Sequence, residues 1–284
     1  MMEPFVLREK ADAPALFYLE SWMKRVDGLS AGFSSRLGGV GSGAWSSLNC
    51  ALHVNDRPED VIENRKRIAA TLSFSFENWT CAEQIHGNRV YIVGESDRGS
   101  GRESRETAIQ NADALVTNVP DVWLTSFYAD CVPLYFVDPV KRVVGLAHAG
   151  WRGTVAEIAK ATVETMRHTY DSDPKDILAS IGPSIGLCCY EVDERVMEHV
   201  KPFAANLGDA LAMEEPFYTD CGNGKSMLNL KQLNRQMLRK AGILPTNIEY
   251  STWCTSCHGD YFFSHRRDHG KTGRMISWIG LEKR

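Results

Sequence analysis

The stretch Asp113–Gly153, DALVTNVPDVWLTSFYADCVPLYFVDPVKRVVGLAHAGWRG, decides the fold, because short β-prone apolar runs alternate in it with a few reactive side chains. Two runs rich in branched and aromatic residues, Val132–Asp138 and Arg142–Ala147, flank Asp138-Pro139-Val140-Lys141. The fixed φ of proline suits the first central position of a tight turn, so the runs are expected to pair as an antiparallel hairpin. Pairing about that turn carries Cys131, at the start of one strand, and His148, at the end of the other, to the same open end of the ribbon. A thiol and an imidazole become neighbours.

Beyond His148, Ala149-Gly150-Trp151-Arg152-Gly153 leads into a helical pattern with Val155, Ile158, Ala159, Val163 and Met166 on one face. Small residues permit close backbone approach here, and Arg152 sets a permanent cation beside the pair. The residues alone leave two readings open: an anion site next to a metal or nucleophile, or an ordinary core thiol beside a satisfied histidine.

Composition narrows the class. A chain of 284 residues with 43% hydrophobic and 24% charged residues has material for a substantial core. A net charge of −4 supplies no general basic field, so nucleic acid is not an expected partner. The N-terminal run MMEPFVLREKADAPALFYLE scatters charges and has no sustained apolar stretch, so no signal peptide, no membrane partner and a cytoplasmic location are expected. The eight cysteines are then read as reduced core residues or ligands.

Along the chain, Leu29–Gly43 holds a polar, glycine-rich run with Arg36 as its charge, a candidate phosphate cradle that lacks the Gly-Lys-Ser/Thr of a P-loop. Asn49 and His53 precede a helix expected from Pro58, with Val61, Ile62, Ile68, Ala69 and Leu72 inward. Gly94–Asn111 has no periodicity and reads as an exposed, mobile loop. Asn229–Ala241 reads as an amphipathic helix capped by Gly242. Cys188 and Cys189 are adjacent, a poor arrangement for chelating one metal, and are expected as core thiols. Cys254-x-x-Cys257-His258 matches a haem-attachment pattern that requires export. As a structural zinc site it would need two more ligands, with His265 and His269 as possible donors; without a second close pair, no functional metal is expected there. Tyr261–Arg267 and Thr272-Gly273-Arg274 bring aromatic and cationic groups together, suited to a base or a phosphate.

Asp130-Cys131-x-Pro133, HAGWRG at 148–153, Gln84-Ile85-His86-Gly87 and IGPSIG at 181–186 followed by Tyr190-Glu191-Val192 together resemble the YfiH/laccase-domain family. The resemblance runs from Phe33-Ser34-Ser35-Arg36-Leu37-Gly38-Gly39 to Thr272-Gly273-Arg274. It implies an α/β (α+β) fold, layered α/β/β/α with largely antiparallel sheets, as one catalytic domain over 1–284. It also implies His86 as a third metal ligand with Cys131 and His148. Members are described as zinc-dependent purine nucleoside phosphorylases, converting adenosine, inosine, guanosine or methylthioadenosine and phosphate to base and sugar phosphate, with adenosine deaminase activity.

Three His/Cys/His ligands suit zinc and leave a fourth position for water or substrate, the arrangement of a catalytic site. On that reading Arg36, Asn49, Gln84 and Arg152 bind substrate or phosphate, and Cys131, Asp130 and His53 serve the chemistry, the last two moving protons. Copper is the alternative ion. The family's older name suggests a polyphenol oxidase, but none of the eight histidines forms the His-x-His pairs of a copper cluster. Another alternative is a metal-free thiol hydrolase or amidase with Cys131 as nucleophile, His148 as base and Asp130 as orienter. A third is a non-enzymatic interaction module. Oligomeric state is not readable from these residues.

Overall fold

The computed structural model describes residues 3–207 and 215–283. The hairpin is present: β8 (Val132–Asp138) pairs antiparallel with β9 (Val143–Ala149), and Pro133 faces His148 at its open end. At the turn, Asp138 Oδ1 accepts the N–H groups of Val140 and Lys141, so the aspartate, together with the proline, closes the connection.

This hairpin forms the middle of a six-stranded sheet. Its order is β14 (Ile248–Tyr250), β10 (Leu178–Ile181), β8, β9, β6 (Ala114–Thr117) and β5 (Val90–Ile92). A second six-stranded sheet runs β1 (Phe5–Arg8), β2 (Leu16–Leu19), β3 (Leu29–Ser34), β15 (Met275–Leu281), β7 (Trp123–Tyr128) and β4 (Trp79–Cys81). A small sheet joins β11 (Glu191–Asp193), β13 (Lys225–Leu228) and β12 (Tyr218–Gly222). Only the pairs β10–β14, β4–β7 and β5–β6 are parallel among the described strands.

Every residue of β8 and β9 is buried, so the strands read as continuous apolar runs and their period of two sorts side chains between two cores. Leu134 and Phe136 enter a core shared with α4 (Ile158–Tyr170), α5 (Glu194–Leu207) and α6 (Leu230–Lys240). Tyr135 and Val137 enter the layer between the two large sheets, against Phe5, Phe17 and Phe33. A third core, with Trp79, Trp123, Trp278 and Ile68, packs α2 (Pro58–Thr71) on the outer face of the other sheet. The result is the α/β/β/α layering expected above. Full burial of each large apolar side chain contributes roughly 1.5–3 kcal/mol relative to exposure, so these three layers are what hold the strand ends in place.

Local expectations fare unevenly. Pro58 is the first residue of α2, and Asn229 caps α6 by accepting from Gln232 N–H, with Gly242 at φ +97° beyond its end. The helix expected from Val155 is in fact two. α3 (Trp151–Val155) is separated from α4 by Glu157 in the left-handed region at φ +63°. The Gly94–Asn111 stretch is irregular as expected but anchored, because buried Arg65 donates to the carbonyls of Gly101 and Arg102. Cys188 and Cys189 are not core thiols: the first is exposed and the second half-buried. His265 and His269 are not what meets Cys254 and Cys257; the other two cysteines are.

Candidate metal centre

His148 lies on β9 with the alternation of Val144 and Leu146, so it points into the layer between the sheets, where the Tyr128 ring of β7 sits 5.4 Å from its own. Cys131 immediately precedes β8. His86 arrives from the irregular segment between β4 and β5, its backbone left-handed at φ +62°. The rings of His86 and His148 meet edge to face with centroids 4.7 Å apart, and one donor atom from each histidine and the Cys131 Sγ all lie within 4.8 Å of one another. His148 is buried, Cys131 half-buried and His86 exposed, so the cluster opens to solvent on the His86 side.

Asp113 organises this arrangement, and the sequence reading gave it no role. Its Oδ1 accepts from His148 Nδ1 at 2.9 Å and from the His86 backbone N–H at 2.9 Å, while Oδ2 accepts the N–H groups of Gly87 at 2.7 Å and Ile85 at 3.2 Å. One buried carboxylate thus holds the 85–87 turn and orients one imidazole. An acceptor at Nδ1 requires the hydrogen to sit there, which leaves Nε2 as the free ligand atom, the usual second layer around a metal-binding histidine. The one available signal was an aspartate directly ahead of an apolar strand, too common to single out.

Electrostatics follow from this packing. Burial raises the Cys131 thiol, but His148 and then His86 outweigh it, and its pKa falls to about 6. Burial lowers His148, but Cys131 and Asp113 reverse this and carry it up to about 9. Asp113 itself is held below the usual carboxylate range: burial opposes, while His148 and the turn N–H groups prevail. Cys131 is therefore poised as a thiolate, the form that ligates metal, and metal binding at Nε2 displaces a proton from His148.

Gly150 makes room for it. A β-carbon placed there would come 3.1 Å from both Cys131 Sγ and His86 Cδ2.

The other candidates separate clearly. Arg152 lies on α3, exposed, its guanidinium 4.8 Å from the Trp151 ring centroid and in no ion pair among the described residues. Arg36 is engaged by the carbonyls of Ser46 and Gly259 and stacks on Phe263. Asn49 is buried, with its amide bonded to Ala51, Asp56 and the Arg274 N–H. Gln84 pairs with both backbone groups of Phe127 as an added strand would. Each of these last three bonds the backbone of another segment.

Asp130, at φ +88°, accepts from Thr255 Oγ1 at 2.7 Å, Ser264 Oγ at 3.1 Å and the Arg266 N–H at 2.7 Å. His53 borders, with Gln84, a cavity of about 20 Å³, room for a single water. Much of His53 reaches solvent, yet the protein packed around its ring, and then Arg274, push its pKa down to about 4. Arg274 and Tyr190 lie within electrostatic reach of Cys131 and Asp130.

The layered fold and this donor set define a mixed α/β protein with a candidate centre for a single metal ion. More particularly, the chain belongs to the multi-copper polyphenol oxidoreductase laccase family, whose sequence signature matches residues 30–282. It is 44% identical over 254 residues to the protein named purine nucleoside phosphorylase YlmD of Geobacillus stearothermophilus, covering 89% of this chain and 90% of that one. It is 40% identical over 275 residues to the YlmD of Bacillus subtilis, which carries the same name, with 95% and 96% covered. The crystal structure of the Geobacillus YlmD superposes with a TM-score of 0.90 over 99% of this chain and 100% of that one. A Bacillus licheniformis protein described as hypothetical protein YfiH gives 0.88 at 42% identity, with 98% and 99% covered.

Proposed function

We propose that this chain, acting as one catalytic unit, is a zinc-dependent purine nucleoside phosphorylase that takes adenosine, inosine, guanosine or methylthioadenosine with phosphate, and that the same centre deaminates adenosine. The observation that carries this reading is the convergence of His86, Cys131 and His148 on one point with Asp113 behind them, in a chain whose relatives bear phosphorylase names.

Two imidazoles and a thiolate fit zinc, and copper is the competing ion. Bound there, the ion supplies Lewis acidity toward a substrate oxygen or nitrogen. The remaining work falls to the chain itself. Asp113 fixes the His148 ring so that Nε2 faces the centre. In phosphorolysis a phosphate oxygen attacks C1′ as the bond to the purine nitrogen breaks, so an anion must be held while negative charge grows on the base. Arg152, free of ion pairs among the described residues, is the proposed phosphate ligand, with Arg274 as the second cation beside Cys131. His53, neutral at physiological pH, is the proposed proton acceptor, and Asp130 is a positioning residue. Arg36, Asn49 and Gln84 shape the surrounding loops.

Chromatography of products from adenosine, with and without phosphate, tests the reading on wild type and Cys131→Ala. Adenine appearing only with phosphate, together with inosine, and both absent from the variant, is the expected pattern. No purine product from metal-loaded protein overturns it.

A second reading has its own observation: Cys131, His148 and Asp113 also have the order of a nucleophile–base–orienter triad, with Asp113 replacing Asp130 as orienter. Hydrolase activity that survives complete metal removal and is abolished by alkylating Cys131 would establish it. Stoichiometric metal lost in Cys131→Ser argues against it.

A further inference from the structure

Four of the remaining cysteines converge on a second point. Cys188, Cys189, Cys254 and Cys257 place their Sγ atoms all within 4.8 Å of one another, with Cys257 at 3.5 Å from Cys188 and 3.4 Å from Cys189. We propose that these four thiols form a structural metal site, separate from the His86–Cys131–His148 centre, that takes one zinc-class ion as a tetrathiolate.

The spacing fits one ion. Thiolates at about 2.3 Å from a tetrahedral zinc stand about 3.8 Å apart, within a few tenths of an ångström of the two separations above. A four-iron cluster would spread its thiolates further, since each ligates a different iron, and a two-iron cluster would split them into two separated pairs. A disulfide joins sulfurs about 2.05 Å apart in one committed pair, whereas Cys257 here is nearly equidistant from two partners.

Local backbone explains how two adjacent cysteines serve one ion. The segment 186–190 coils tightly, with the N–H groups of Cys189 and Tyr190 both donating to Gly186 O, so consecutive side chains turn toward the same neighbour. Across from it, His258 N–H donates to Cys254 O, and that turn sets Cys254 and Cys257, three apart, on one face. The two segments are fastened by a bridge between Ser184 and Cys254 and by Thr255 N–H donating to Ser184 O.

The surroundings suit an anionic centre. Gly186 N–H donates to Cys254 Sγ at 3.2 Å, the kind of bond that stabilises a thiolate. Behind it, Lys231 is buried, its Nζ held by the carbonyls of Ser251 and Trp253, within electrostatic reach of Cys188 and Cys254. A buried ammonium offsets part of the net negative charge that four thiolates leave on a divalent ion. Cys254 is buried, and Cys188 and Cys257 are exposed, so an ion can enter from solvent.

The consequence reaches the other centre. The coiled segment ends in Tyr190, on whose ring the Arg266 guanidinium lies at 5.2 Å, and the Cys254–Cys257 turn carries Thr255, which holds Asp130 beside Cys131. The ion staples together two segments that wall the His86–Cys131–His148 centre.

Metal content of the full chain, measured by mass spectrometry after purification in zinc-containing buffer, tests this. Wild type is expected to hold two zinc ions, His86→Ala/His148→Ala to keep the one at the thiols, and Cys188→Ser and Cys257→Ser, both at exposed positions, each to lose one. Cobalt replacing zinc in the double-histidine variant should give the visible spectrum of a tetrathiolate. In reduced wild type, Cys188 and Cys257 should alkylate slowly until a chelator is added. The proposal is overturned if the double-histidine variant is metal-free and both thiols alkylate at once under reducing conditions, or if fresh protein contains disulfides among these four residues. Because the double-histidine, cobalt and alkylation readouts follow the thiol-bound ion alone, failure of the phosphorylase reading leaves them unchanged.

Discussion

A single hydrogen bond, 2.9 Å from Asp113 Oδ1 to His148 Nδ1, ties the two ends of the candidate centre together, because the same oxygen accepts the backbone N–H of His86. The carboxylate receives four N–H donors in all and so sets both the ring of one ligand and the turn that presents the other.

Asp113→Asn should therefore weaken metal binding far more than its shape suggests. The amide has one acceptor oxygen and sets an NH₂ group against donors, so at least one of those bonds is lost. Loss of such an orienting partner typically costs about 10–100-fold in metal affinity. Chelator competition measures it; unchanged affinity would remove Asp113 from its organising role.

Gly150→Ala isolates close approach from backbone strain. Gly150 sits at φ −70°, open to any residue, so the added methyl acts only through its 3.1 Å encounters with Cys131 Sγ and His86 Cδ2. Metal content at the His/Cys/His centre should drop with the circular dichroism spectrum unaltered. Full occupancy in the variant would contradict this geometry.

In the chelated protein, Cys131 should react with iodoacetamide at a rate that stays high down to about pH 6 and falls below it, since only the thiolate attacks and its pKa is depressed from 9.0 to about 6. Peptide mapping at Cys131 reads this apart from the exposed thiols. The sign for stability follows from the same shifts. The depressed Cys131 contributes stability that is lost as pH falls through about 6, and the elevated His148 contributes stability lost as pH rises through about 9. Between pH 6.5 and about 9 the two trends oppose each other, so the chelated protein should show a near-level stability profile there, which urea unfolding across that range checks.

The arginines should divide. Arg152→Ala is expected to raise KM for phosphate several-fold at unchanged metal content, as its guanidinium makes no ion pair among the described residues. Arg36→Ala should instead lower the melting temperature, because it frees the carbonyls of Ser46 and Gly259. Steady-state kinetics beside thermal melts separates them; the reverse pattern would restore Arg36 as a phosphate ligand.

Phe136→Ala tests the hairpin's contribution to the fold. Fully buried against the helical layer, the ring should cost about 3–5 kcal/mol on truncation, measured by urea unfolding.

Fold class was legible because its signals are local. The β8–β9 hairpin follows from a proline turn between two β-branched runs, and α2 and α6 follow from Pro58, Asn229 and Gly242 at their ends. Apposition of Cys131 and His148 follows from that same register. The break at Glu157 was hidden because apolar spacing continues across it while the backbone turns left-handed. Close approach at Gly150 is legible in the small residues of 149–153, whereas Asp113 carries no distinctive local signal, because its importance lies in contacts across the sheet.

What the chain alone determined, then, are elements whose residues are neighbours in sequence, since turn chemistry and hydrophobic period act over a few residues. What only the tertiary structure decided is which distant groups meet. His86 reaches Cys131 because Asp113 gathers the 85–87 turn, and Cys188–Cys189 meets Cys254–Cys257 because Ser184 pairs with Cys254. Side chains dozens of residues apart share a site only when packed layers fix both backbones, and no local rule carries that information.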